Sequence, residues 1–282
     1  MSRKPPRSLP YTDLKPALWR EYEEILTGSL WIFPTRYRGD GHALEYHGNF
    51  VPQIATQTLL RFTRPGDVVL DLFLGAGTTA VEAVRLGRRC VGIELRADLV
   101  EHVRQKLAHA ADQVALITED ATSPALIAEV RSALAAWDRE AAQLLILHPP
   151  YHDIIPFSHD PADLSNAGSV AAFLDRFALA AEHGIELLEP GRFAVLVIGD
   201  TYRSGEWIPL GFLCMERLRA LGLRLKSICV KNIEGNEIGK GRATPLWRYR
   251  ALAGGFYLFK HEYVMIFQKK DVRRRGLERG SQ

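Results

Sequence analysis

Hydrophobic and polar positions change period repeatedly along this chain. Short apolar runs recur at 68–72, 89–94, 114–118, 143–148, 192–198, 223–231 and 262–268. Their length and the turn residues beside them predict strands. Between them, the stretches 78–87, 96–110, 123–138, 169–188 and 207–221 carry apolar residues at helical spacing. Leu86-Gly87 and Leu221-Gly222 read as helix ends with glycine just beyond. Strand–helix alternation of this kind predicts an α/β fold, a doubly wound and mostly parallel sheet with helices on both faces. Ligands of such sheets bind at the carboxyl ends of the strands, so acids or histidines ending these runs should converge on one cleft. Asn232–Gly254 has glycines at 235, 239 and 241 and no clear period. It is expected to be a long, mobile loop.

Two strand ends carry candidate chemistry. The run Leu144-Leu145-Ile146-Leu147 closes on His148-Pro149-Pro150-Tyr151. Proline fixes φ and restricts the residue before it, so the turn holds its carbonyls in one direction beside an aromatic ring. Such a rim can accept hydrogen bonds from a planar amino group while the ring stacks on its plane. That suits group transfer to the amino nitrogen of a nucleobase or amide. Upstream, Val68-Val69-Leu70-Asp71-Leu72-Phe73-Leu74-Gly75-Ala76-Gly77-Thr78-Thr79 reads as strand, glycine turn and helix start. Its glycines let backbone approach a ligand, and the helix start offers unpaired N–H groups. Glu94 ends the next strand, twenty-three positions after Asp71, where a carboxylate fits a ribose. Gly75, Gly77 and Ala80 also satisfy the loose dinucleotide fingerprint, which keeps NAD in view. Against NAD, Asp71 lies four residues before the first glycine. It would repel a pyrophosphate there and attract the α-amino group of S-adenosylmethionine.

In the order and spacing of these segments the chain resembles the DNA amino-methyltransferases, which methylate the exocyclic nitrogen of adenine (N6) or cytosine (N4). The resemblance runs from about Ser29 to about Lys269. It implies a seven-stranded, Rossmann-like class I methyltransferase sheet whose last strand, His261–Phe267, runs antiparallel. It implies S-adenosylmethionine as cofactor, held by His47, Gly48 and Pro52 from the segment before the loop. Asp71, Phe73, Gly75, Gly77, Thr78 and Thr79 of the loop, the ribose acid Glu94, and Asp120 with Ala121 near the adenine amino group complete that set. His148, Pro149, Pro150 and Tyr151 become the catalytic turn, with Tyr151 stacking on a target base flipped out of the duplex. His152, Asp153 and Phe157 are further candidates for the pocket lining, and Asp160–Asn166 resembles the loop that follows. Neither a metal nor a covalent nucleophile is called for. In the family the first residue of the turn is usually Asp, Asn or Ser. Here it is His148, which can accept a hydrogen bond only when neutral. That departure removes the usual clue to adenine or cytosine. It keeps three other readings open: methylation of RNA or of a protein glutamine, a non-catalytic cofactor-binding subunit of a heteromeric enzyme, and an NAD-dependent enzyme.

Composition adds an uneven charge. From Asp200 to Gln282 there are 17 Lys and Arg against 8 Asp and Glu, a balance of +9. The remainder has 19 against 25, or −6, so the net +3 conceals a basic C-terminal third. That is what a phosphate backbone requires. Lys231, Lys240, Arg242, Trp247, Arg248 and Arg250 are the expected nucleic-acid contacts, within 232–254 or at its edge. The chain is expected to divide into an N-terminal extension (1–45), a catalytic domain (46–270) and a basic tail (271–282). So little sequence lies outside the catalytic domain that a short recognition site is expected, or a homodimer or specificity partner supplying one. No apolar run approaches eighteen residues, so no membrane span is expected. The basic N-terminus has no apolar stretch behind it and does not read as a secretory signal. Cys90, Cys214 and Cys229 are scattered among apolar neighbours and lack metal spacing. They are read as buried thiols in a reducing cytoplasm.

Overall fold

A computed structural model describes residues 9–39, 42, 48–151, 158–234 and 245–271. In chain order its elements are β1 (Leu30–Trp31), α1 (Pro52–Phe62), β2 (Val68–Asp71), α2 (Thr78–Arg85), β3 (Arg89–Glu94), α3 (Ala97–Lys106), β4 (Val114–Thr118), α4 (Leu126–Ala135), β5 (Ala142–Leu147), α5 (Val170–Leu187), β6 (Leu188–Ile198), β7 (Thr201–Arg203), β8 (Glu206–Ile208), α6 (Leu210–Ala220), β9 (Arg224–Asn232), α7 (Pro245–Gly254) and β10 (His261–Gln268). The seven expected strands all form. They lie in one sheet of order β1-β9-β10-β6-β5-β2-β3-β4, with β7 and β8 as a separate hairpin. β10 is antiparallel to both β6 and β9, as the resemblance implied, and the other neighbours are parallel.

Successive residues of each strand feed opposite cores. Val68 and Leu70 join the core under α4, α5 and α6, while Val69 between them joins the core under α1, α2 and α3. Both faces of the sheet are therefore covered, and β2 and β5 are buried at every position. Of the expected helices, α5 is capped by the Ser169 hydroxyl, which accepts from Ala172 N. Gly87 and Gly222, just past α2 and α6, have φ of 72° and 90°, the left-handed conformation expected there.

Three expectations change. The sheet has eight strands rather than seven, because Leu30 and Trp31 pair in parallel with Val230 and Lys231. A two-residue strand carries no period of its own; tertiary packing of Trp31, 3% exposed, makes it. Tyr11, Trp31 and Phe33, from the stretch set apart as an extension, pack against the core beneath α1. Helix α1 was not anticipated, although Pro52 at its first turn and the buried row Ile54, Ala55, Leu59 and Phe62 are sufficient physical cause. Finally, Asn232–Gly254 is not all loop: Pro245–Gly254 is helix α7, none of whose residues is buried. Lys240 and Arg242 lie outside the described residues.

Candidate active site

The carboxyl ends of β2, β3, β4 and β5 open into a cleft. Gly48, Asn49 and Phe50 form one wall, the loop Leu72–Gly75 with Thr78 a second, and Glu94–Arg96 with Glu119–Ala121 a third. His148 and Pro150 line it from the end of β5, and Ala162–Leu164 lie across from them. The sequence thus brings Gly48, Phe73, Gly75, Thr78, Glu94, Asp120, Ala121, His148 and Pro150 together as expected. Most of them follow parallel strands, and parallel strands end on the same side.

The glycine loop bends through left-handed Gly75 (φ 56°) and Gly77 (φ 87°). A side chain at Gly77 would lie 2.8 Å from Val103, so the loop can pack this closely on α3 only as glycine. Glu94 closes the loop: its Oε2 accepts from Gly75 N (2.8 Å) and its Oε1 from Arg96 N (3.0 Å). Burial raises the Glu94 pKa, against the pull of those two N–H groups and Arg96, with Asp163 adding to the rise. Asp120 is fixed by an Asx turn in which Oδ1 accepts from Thr122 N at 2.8 Å.

Asp71 does not line the cleft. It is 1% exposed beneath the loop, and its Oδ1 accepts from Phe73 N at 3.0 Å. Burial pushes its carboxyl up to about 6, against the opposing pull of the Thr79 hydroxyl and the Phe73 N–H, with the Glu94 charge adding to the rise. Its role in this geometry is to shape the loop. Gly77, Thr79 and Pro52 also stand behind the surface, Thr79 and Pro52 as buried first-turn residues of α2 and α1. His47, His152, Asp153 and Phe157 lie outside the described residues.

The turn His148–Tyr151 departs from expectation at its last residue. His148 meets Phe50 edge-to-face, with ring centroids 5.0 Å apart. Tyr151, expected to stack on a base, is only 9% exposed, and its hydroxyl donates to Glu262 Oε2 at 2.8 Å. Lys231, expected to contact nucleic acid, is fully buried and paired with Glu262 at 2.9 Å. Its partner stands directly opposite on β10, a pairing that charge counting cannot see. Trp247, Arg248 and Arg250 are exposed on α7, with the Arg250 guanidinium 5.1 Å from the Trp247 ring centroid.

Sequence reasoning passed over Asn49, Phe50, Arg96, Glu119 and Asp163 as site residues. Glu119 and Arg96 closely flank named positions, which was signal enough. Asp163 is brought in by the chain's return after the turn, within the stretch Asp160–Asn166 that was expected only as the loop that follows. With it, the rim holds Glu94, Glu119, Asp120 and Asp163 against one cation, Arg96. This acidic lining fits the positively charged S-adenosylmethionine and disfavours a pyrophosphate. No group of three or more potential metal ligands occurs among the described residues.

A mostly parallel, doubly wound sheet with one antiparallel strand and a cleft at its switch point is a Rossmann-like architecture. A precorrin-6y C5,15-methyltransferase from Geobacter metallireducens GS-15 shares the fold, with a TM-score of 0.50 at 13% identity over 85% of this chain and 100% of that one. Residues 8–105 match the sequence model of the DNA methylase family. The type II methyltransferase M2.DpnII of Streptococcus pneumoniae is 33% identical over 89 residues, 31% of each chain. The DNA adenine methyltransferase YhdJ of Escherichia coli K12 is 36% identical over 76 residues, 26% of this chain and 25% of that one. The matched stretch therefore spans a quarter to a third of the length of these relatives. Over the segment that holds the glycine loop and Glu94, the chain is related to the N6-adenine and N4-cytosine DNA methyltransferases.

Proposed function

We propose that this protein transfers a methyl group from S-adenosylmethionine to the exocyclic amino group of adenine or cytosine in DNA, acting on a base flipped from the duplex. The observation that carries the proposal is the convergence of the Gly75 loop, Glu94, Asp120 and the His148–Pro150 turn on one cleft. Bound cofactor supplies a methyl on a sulfonium, already a good leaving group. Glu94, both of whose oxygens are oriented by backbone N–H groups, keeps lone pairs for ribose hydroxyls. Neutral His148 and the Pro149 carbonyl accept the N–H bonds of the target amino group. That draws the nitrogen towards tetrahedral geometry and localises its lone pair, an interaction stronger in the transition state than in the ground state. Pro150, which lines the cleft where Tyr151 does not, offers apolar surface beside the base. Trp247, Arg248 and Arg250 on α7 supply exposed stacking and phosphate contacts. A reducing, cytoplasmic setting suits the three buried free cysteines. Sequence selection falls to a short site, a second copy or a specificity partner.

The test is methyl transfer from tritiated S-adenosylmethionine to unmodified DNA, with product nucleosides identified, for wild type and His148→Ala. Label in N6-methyladenine or N4-methylcytosine, lost in the variant, is the expected result. Label appearing only in RNA or protein would overturn it. The substitution of His148 for the usual Asp, Asn or Ser favours one second reading, a cofactor-binding subunit of a heteromeric enzyme. It predicts intact cofactor binding with no turnover by the chain alone.

A further inference from the structure

The ladder between β9 and β10 places Lys231 and Glu262 directly opposite each other. Lys231 Nζ is 2.9 Å from Glu262 Oε1, and solvent reaches almost none of either side chain. Desolvating such a pair commonly costs more than the attraction returns, and apolar residues of similar size would fill the space at least as well. The remaining Glu262 oxygen is satisfied from another strand end, where the Tyr151 hydroxyl donates to Oε2 at 2.8 Å. On its far side that hydroxyl lies 3.4 Å from His148 Nε2. Gly199, at the end of β6, makes room for the arrangement: a Cβ there would stand 3.1 Å from the Tyr151 ring. Four side chains thus run in line from the interior of the sheet to the wall of the cleft.

From this geometry we infer that the Lys231–Glu262 pair, acting through Tyr151, positions His148 by fixing which of its ring nitrogens carries the proton. The inference rests on the proposed role of His148 as acceptor for the target amino group. As half of an ion pair, the Glu262 carboxylate can only accept. The phenolic proton of Tyr151 is therefore committed to it, and the phenol oxygen presents lone pairs to the imidazole. Neutral His148 then carries its proton on Nε2, and Nδ1 keeps the ring's lone pair. An aspartate or asparagine acceptor needs no such device, because its carbonyl-type oxygen accepts in every state. A histidine in this position has two neutral tautomers, and only one presents a lone pair at a given nitrogen. Lys231, Glu262 and Tyr151 are positioning residues, and the chain's use of a histidine gives the buried charge pair a purpose.

The experiment is nitrogen NMR of the full chain labelled with ¹⁵N-histidine, above the imidazole titration range and without cofactor or DNA. His148→Gln identifies the His148 signals. The expected wild-type pattern is a protonated Nε2 and an unprotonated Nδ1. Tyr151→Phe removes only the hydroxyl and should shift those signals towards a mixture of tautomers. The double variant Lys231→Met, Glu262→Met removes the pair without stranding a charge and should also abolish the single-tautomer pattern. Tyr151→Phe should lower kcat about tenfold while KM for the cofactor holds. A proton on Nδ1 in the wild type, or an unchanged pattern in Tyr151→Phe, would overturn the inference. If the wild type shows the expected pattern and its loss in Tyr151→Phe, but methylates no DNA, the positioning stands and the functional reading fails. An active wild type whose Tyr151→Phe variant keeps tautomer and kcat has the reverse meaning.

Discussion

At the scale of single residues, two carboxylates at neighbouring strand ends do different work because their partners differ. Glu94 faces the cleft with both oxygens already oriented by backbone N–H groups. Glu94→Gln keeps one acceptor but replaces the other with a donor facing an N–H. Its affinity for S-adenosylmethionine, read by calorimetry, should fall roughly tenfold to a hundredfold. Asp71 is buried, and its carboxyl is held at about 6 rather than near the ordinary 3.8. A raised carboxyl pKa means that the folded state binds more protons than the unfolded one across that window. Its contribution therefore favours folding below about 4 and is lost as pH rises through about 6, on the order of 3 kcal/mol. Urea unfolding of Asp71→Asn should show a flatter pH dependence over that window than wild type does. Glu94 was legible from its place after a strand. That Asp71 would be buried under the loop was not, because its burial depends on segments that close over it only after folding.

At the scale of elements, α1 and α2 are tied by one buried acid. Glu82 on α2 is sealed from solvent and bonded to His42, Thr56 on α1, and Arg85. Burial alone would raise its pKa, but the bonds from His42, Arg85 and Thr56 outweigh it and hold the carboxyl at about 2. A depressed pKa stabilises the fold above the ordinary carboxylate range and withdraws that support as pH falls towards 2. Glu82→Ala strands the surrounding donors and should cost about 3 kcal/mol at neutral pH in chemical denaturation. Helix α2 follows the glycine loop directly, so the network also braces that wall of the cleft. Strands β2 to β6 and helices α2 to α6 were legible because their apolar periods agree with their final burial. Helix α7 was not. Its apolar residues Leu246, Trp247 and Leu252 are 55%, 45% and 74% exposed, so no buried face imposes a period on it.

At the scale of the whole molecule, charge is divided between the acidic cleft and a basic C-terminal third. The sum of charges overstates the nucleic-acid surface, since Lys231 is consumed inside the sheet. The exposed cations of α7 remain. Replacing Arg248 and Arg250 together with Ala should leave unfolding stability within about 0.5 kcal/mol, as expected for exposed positions. DNA binding should weaken, and the slope of log affinity against log salt should shrink by about two, roughly one for each phosphate left without its arginine. An unchanged slope, measured by fluorescence anisotropy over a salt series, would remove α7 from the DNA-facing surface. No helix among the described residues is long and apolar enough to cross a membrane.

By itself, the sequence determined the α/β class, seven of the eight sheet strands and the strand ends that meet at the cleft. Those features follow from local period and from the rule that parallel strands expose the same end, and both survive without knowing any partner. Tertiary structure alone decided the eighth strand, the acidic contribution of Asp163 to the rim, and the inward turn of Lys231 and Tyr151. Each depends on contacts between residues far apart in the chain: Trp31 with β9, the loop after β5 with Glu94, and β10 with the His148–Tyr151 turn. A side chain's direction and its hydrogen-bond partner are fixed only when those distant segments meet, so no local pattern records them.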